Sequence, residues 1–348
     1  MAWRLRRHLL DPVGVASSTD VVHALGAVAA QHDAELAVRT RRRTSRPGDV
    51  VQALADGTLV TTFAFRGATH LMTPEDAGAY LALRASSRMW ELPSWQTHYG
   101  LAPADWPPLR QAVRDALADG PLTHDELGAA LVADPRFGHL RTAFANGAWT
   151  LLKPFAWQGD LSLGPTRDGK ATFQRLDTNP RWTGPLDLDT AGTQAVEAYL
   201  RAYGPTTPGH LQYWLGEGLG AARQHLRAWL AGLGDRLADV DVDGEPLVVL
   251  REDLDELVAS EPSSSVRLLP RYDQWVLGPG TADARVVPPE HRAVVTRGAN
   301  VVLVGGVVGG TWSTVGDEVR IDWFPGSTAD REAVDDEVRR LAAIRRPA

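Results

Sequence analysis

The sequence predicts an α+β chain: three tandem winged-helix units, each a helix-turn-helix followed by a β-hairpin, and a β-rich C-terminal domain. Three observations carry this. Strand–turn–strand signals recur at Leu59–Thr73, Asp160–Asp177 and Leu237–Leu250. Each follows stretches whose apolar residues repeat at helical spacing. After Ser265 the pattern changes to Val-rich runs separated by glycine. The units are placed at 1–100, 101–180, 181–260 and 261–348, in keeping with a prior of about 150 residues or fewer per domain.

In the first unit, DVVHALGAVAAQ (Asp20–Gln31) and RPGDVVQALADG (Arg46–Gly57) read as helices. The hairpin that follows turns at Arg66-Gly67. Thr73 then starts a helix as N-cap, with Pro74 at the first position and Glu75 and Asp76 in the first turn. In the second unit Thr123 caps a helix whose first turn holds Asp125 and Glu126. AFANGAWTLLKPFAWQG leads from it to a hairpin with Asp168-Gly169 in its loop. YGPTTPGHLQYWLG and GAARQHLRAWLAGLG precede the third hairpin, which turns at Asp243-Gly244. The last part reads as a small β-barrel or sheet, with hairpin turns at Gly305-Gly306 and Gly309-Gly310 and a closing amphipathic helix from Arg331. Of the 12 tryptophans, Trp149, Trp157, Trp214, Trp229, Trp275, Trp312 and Trp323 lie in apolar patterns and are expected to pack inside. Trp90, Trp95 and Trp106 lie in a Pro-containing connector, to clamp domains or stack on a base.

Composition narrows the function classes. No apolar run reaches the roughly 18 residues of a membrane span. Asp11 and Pro12 interrupt the apolar stretch behind the basic N-terminus, against a signal peptide, so a cytoplasmic location without membrane attachment is expected. With no cysteine there is no disulfide, zinc-thiolate site or thiol nucleophile. The histidines are scattered, and neither H-E-x-x-H, G-x-x-x-x-G-K-[ST] nor G-x-S-x-G occurs, so no metal or cofactor is expected.

Net charge is −7, yet residues 1–46 carry eight arginines against four acidic residues. A basic face on an acidic body suits a polyanion. Arg39, Arg41, Arg42, Arg43 and Arg46 are its candidate phosphate contacts, because guanidinium groups present several donors in a planar fork; a solvated helix end is the bland alternative. Beside them stands Gln31-His32-Asp33, either a site or a polar helix C-terminus.

VHALGAVAAQ, RGATHLMTPED, GPLTHDEL, DGKATFQRLD, AYGPTTPGHLQYWLG, RLLPRYDQWVLG and VVGGTW, in that order, resemble the winged-helix DNA glycosylases of the AlkZ/YcaQ type, from about Val22 to Trp312. The resemblance implies tandem winged helices arranged as a clamp around damaged or crosslinked double-stranded DNA. It also implies monofunctional excision of N7-alkylated or crosslinked purines, by a chain expected to be a monomer. The family's signature is Gln-x-Gln or Gln-x-Asp. Aligned without a gap it falls on Ala29-Ala30-Gln31, so alanine takes the place of the water-positioning glutamine. Shifted by two residues it falls on Gln31-His32-Asp33 and is complete, which makes Gln31 and Asp33 the candidate catalytic pair. An N7-alkylpurine is already cationic on the sugar and leaves without a strong acid, so the chemistry required is to place water and stabilise an oxocarbenium-like sugar. A carboxamide or carboxylate can serve and alanine cannot. Ala29 therefore also motivates a non-catalytic, regulatory DNA-binding protein, and the acidic net charge a protein–protein module.

Overall fold

In the computed structural model, which describes residues 1–147, 149–316 and 318–346, helices and small antiparallel sheets alternate along the chain. Ala148, Asp317, Pro347 and Ala348, which fall in three of the stretches read above, lie outside the described residues.

Helix α1 (Ala2–Arg7) precedes α2 (Ser18–Leu25), which opens on a capping box between Ser17 and Asp20. Such a cap contributes about 1 kcal/mol by satisfying orphan backbone donors. The helical pattern read to Gln31 stops at Leu25. Gly26 has φ +75°, and a Cβ there would stand 2.5 Å from the Tyr80 hydroxyl, so the chain turns sharply at this glycine. It leaves as a short strand, β1 (Val28–Ala29). Helices α3 (Ala34–Arg39) and α4 (Asp49–Ala55) follow. The first hairpin is β2 (Val60–Phe63) and β3 (Thr69–Met72), with Phe65–Gly67 at its tip. Strand β1 adds to its edge in the order β1-β3-β2. Thr73 caps α5 (Pro74–Ser86) by accepting from Asp76 N, as its sequence requires.

Next come α6 (Trp106–Ala116), a two-residue strand β4 (Leu122–Thr123), α7 (His124–Val132) and α8 (Trp149–Trp157). The second hairpin, β5 (Leu161–Arg167) and β6 (Lys170–Arg175), completes a sheet ordered β4-β6-β5. Helices α9 (Leu188–Tyr203) and α10 (Arg223–Gly232) precede the third, β7 (Leu237–Val242) and β8 (Glu245–Leu250). The C-terminal part is an open meander of β9 (Val266–Leu269), β10 (Asn300–Val304), β11 (Val307–Val315) and β12 (Glu318–Trp323), not a closed barrel, with α11 (Arg331–Arg345) after it. Gly305-Gly306 form a turn, but Gly309-Gly310 lie inside β11. A Cβ on Gly310 would stand 2.7 Å from the Asp322 carbonyl, so close backbone approach explains the glycine there.

Alternation along the meander feeds two cores. Leu269, Val301 and Leu303 pack with Leu5, Trp275 and Val308; Val266, Leu268 and Val302 pack with Leu36, Leu341 and Ile344. The first and third parts of the chain share a core, in which Val60, Met72 and Tyr80 meet Val196, Tyr199, Trp214 and Trp229. A further core gathers Trp90, Trp106, Phe155, Trp157 and Phe173, so two of the connector tryptophans pack inward. Trp149 and Trp323, expected inside, are 37% and 39% exposed.

A fully buried ion pair joins distant parts of the chain between these cores. Arg41 Nη2 and Nη1 donate to Asp273 Oδ1 and Oδ2 at 2.6 and 2.8 Å, with both side chains 0% exposed. Nearby, the Tyr203 hydroxyl donates to Leu25 O at 3.0 Å, and Arg4 donates to Tyr203 O at 2.7 Å. Removing one partner of such a pair strands a buried charge. Arg41→Met is therefore expected to cost about 3–5 kcal/mol of stability, whereas Arg43→Ala, at an exposed position, is expected to stay within about 0.5 kcal/mol. Urea denaturation of the two variants checks this.

Candidate active site and nucleic-acid interface

Strand β1 presents the signature region. Its register is Val28↔Leu71 and Ala29↔His70, and the ladder continues through Ala30 N to Thr69 O at 2.9 Å. Val28 and Leu71 face a core with Leu25 and Leu59. Ala29 faces the other way, beside His70. Gln31, two residues on and at the same end as the Phe65–Gly67 tip, is exposed, and its carboxamide meets no hydrogen-bonding side chain among the described residues. Asp33 is also exposed but is committed locally: its Oδ1 accepts from Leu36 N at 2.9 Å and caps α3. Between them, His32 stacks on Tyr272, ring centres 4.5 Å apart and 19° from parallel. Its pKa is lowered by partial burial and by the Arg271 guanidinium. The polar triplet thus begins a helix, where the pattern suggested the end of one.

The arginine cluster divides. Arg41 is withdrawn from the candidate phosphate contacts, because its guanidinium is sealed against Asp273. Arg39 is 7% exposed and donates to Ser45 Oγ at 3.2 Å. Arg42 is tied to Asp49 at 2.5 Å, Ala16 O at 2.8 Å and Ser18 Oγ at 3.1 Å, so both are held inside the fold rather than presented. Arg43 and Arg46 are exposed, and neither guanidinium has an acidic partner among the described residues.

Three cations that the sequence did not mark as candidate contacts stand near this end of the sheet. Arg66, in left-handed backbone at the hairpin tip (φ +53°), lies 4.3 Å over the Tyr213 ring. Lys153 reaches the same tip from α8, where a Cβ on Gly67 would be 3.2 Å from its Nζ; burial, and then Arg84, lower its pKa. Arg271 precedes Tyr272, which has φ +58°. Nothing in local spacing could have joined these residues to Gln31; they converge only through tertiary packing. Phe65 stacks on Trp214 at 4.2 Å and lies 5.2 Å from the His70 ring, forming an aromatic wall. His70 is neutral: burial pushes its pKa down to about 4, against a raising bond to Ala68 O. Among the described residues no three acidic or histidine side chains converge as a metal site, and no helix is long and apolar enough to cross a membrane.

Residues 22–344 match the family described as DNA glycosylase AlkZ-like. The chain belongs to the AlkZ-like DNA glycosylase family. An interstrand DNA cross-link repair glycosylase of Streptomyces sahachiroi is 39% identical over 332 residues, covering 93% of this chain and 89% of the relative. The solved structure of the DNA glycosylase AlkZ of Streptomyces sahachiroi superimposes with a TM-score of 0.93 at 37% identity, covering 99% of this chain and 96% of that one. Membership makes this AlkZ-like chain a DNA glycosylase-like protein with DNA as its substrate, and gives no support to the non-catalytic reading that Ala29 motivated.

The buried imidazoles set a pH dependence. His8 is held neutral well below its usual range by burial and by Arg41 and Arg4; His70 stays neutral to about 4. The unfolded chain protonates both near 6.5, so it binds more protons than the folded chain as pH falls from there toward 4. Stability is therefore expected to fall in that window by up to about 1.4 kcal/mol per pH unit for each group. His23 works in the opposite sense, since its bond to Asp76 raises its pKa. Chemical denaturation between pH 7 and 4 should show the net loss, and His70→Gln should flatten it.

Proposed function

We propose that the chain is a monofunctional glycosylase that releases N7-alkylated or crosslinked purines from duplex DNA by water attack at the N-glycosidic bond. The observation that carries this is the uncommitted Gln31 carboxamide at the end of β1, in a chain related to a cross-link repair glycosylase along nearly its whole length. Gln31 orients the water. Asp33, with one oxygen engaged at the cap, is the second member of the pair and offsets positive charge on the sugar.

The hairpins β2–β3, β5–β6 and β7–β8, each after helices, are read as the wings of three winged-helix units, which grip the duplex as a monomer. Arg43 and Arg46 contact phosphates, with Arg66 and Lys153 from the hairpin side. The cytoplasm is the compartment that fits a cysteine-free DNA repair protein.

Release of N7-methylguanine from a duplex oligonucleotide, read by alkaline cleavage of the abasic site, tests the reading. Gln31→Ala is expected to lower the single-turnover rate by about 10²–10³-fold, and Asp33→Asn by less. No release at high enzyme, or release indifferent to both changes, rejects it. Replacing Arg43 and Arg46 together by alanine should reduce the slope of log K against log salt by about 2. Arg41→Met should leave that slope unchanged in the protein that remains folded.

A further inference from the structure

His70 faces Ala29 across the first sheet. The row across the first sheet is Ala29, His70 and Thr62, on β1, β3 and β2. The backbone bond from Ala30 to Thr69 makes Ala29–His70 a non-hydrogen-bonded pair, the kind whose Cβ atoms stand about 4.5–5.5 Å apart. His70 Nδ1 bonds Ala68 O at 3.1 Å. A carbonyl can only accept, so the proton sits on Nδ1, and Nε2 carries a lone pair. Nε2 has no partner among the described residues, yet it is not sealed, in contrast to the unpaired His8 Nδ1 and His124 Nε2. The Thr62 hydroxyl does not compete for that face, since it donates to Leu161 O at 3.1 Å. Ala29, half-buried, presents only a methyl group on that face. Gln31 lies two residues beyond Ala29, just past the end of β1, exposed and with an uncommitted carboxamide.

We propose that His70 is a catalytic residue whose Nε2, together with Gln31, holds and deprotonates the attacking water. This rests on the excision reading above. The water oxygen bonds to C1′ as the C1′–N9 bond breaks. The bonding pair leaves with the cationic N7-alkylpurine, which departs as a neutral base. The water proton passes to Nε2 and then to solvent. A weak base is sufficient, because water adding to an oxocarbenium ion becomes strongly acidic as the new bond forms.

The test is single-turnover release of N7-methylguanine from a duplex oligonucleotide by wild type, His70→Asn, His70→Gln, His70→Ala and the double variant His70→Ala/Ala29→Gln, with duplex affinity and melting measured alongside. Asparagine keeps an N–H near the Nδ1 position and so keeps the bond to Ala68, but it cannot reach the water. Glutamine reaches the Nε2 position with an acceptor oxygen. The expected result is a loss on the order of 10²-fold for asparagine and alanine at unchanged duplex affinity, with the rate restored to within about tenfold by glutamine at either position. If the asparagine variant keeps the wild-type rate, or neither glutamine restores it, His70 is not catalytic. If His70→Ala does not fold, the asparagine–glutamine contrast decides alone. A wild type that releases no base removes the excision reading and this inference together; a wild-type rate that survives in His70→Asn removes only the inference.

Discussion

The geometry of the site depends on the buried pair between Arg41 and Asp273. Arg41 follows α3, while Asp273 lies between β9 and the Trp275 turn, where it also accepts from Trp275 N at 2.8 Å. The residue before Asp273 is Tyr272, whose ring lies on His32. The pair therefore fixes the C-terminal meander against the segment that leaves β1. Burying two charges costs desolvation that their attraction offsets only in good geometry, so its main contribution is a unique arrangement rather than extra stability. Arg340, on α11, donates to Thr40 O at 3.0 Å and closes the same junction from the far end of the chain.

This accounts for the uneven fate of the arginines. The densest cationic run in the chain is mostly internal wiring: Arg41, Arg42 and Arg39 bind Asp273, Asp49 and Ser45. A guanidinium has the same composition whether it meets a carboxylate of the fold or a phosphate from outside. For Arg41 what separates the two is a partner 232 positions away in the chain, which no local pattern reveals.

Where the information was local, the sequence was legible. The caps at Thr73 and Thr123 and the turns at Asp168-Gly169 and Asp243-Gly244 stand as read, because each is a contest among a few neighbouring residues. The family, too, was legible in the order of the motifs. Strand β1 was not. Its residues suit a helix, and only Gly26 against Tyr80, with β3 waiting for a partner, turns them into an edge strand. The correction changes the setting of the candidate residues, since Gln31 follows a strand and Asp33 caps the next helix. His70 could be placed beside them only once the register was known.

Ala29 has a second significance. It is half-buried and belongs to none of the hydrophobic clusters that hold the fold, while its neighbour Val28 is 2% exposed and packed in one. The two residues divide the labour of a two-residue strand: one answers to the core, the other faces His70 on the opposite side of the sheet. Position 29 is thus nearly free of folding constraint. A lineage can exchange the group it presents there without disturbing the scaffold, and the facing imidazole gives such an exchange somewhere to start.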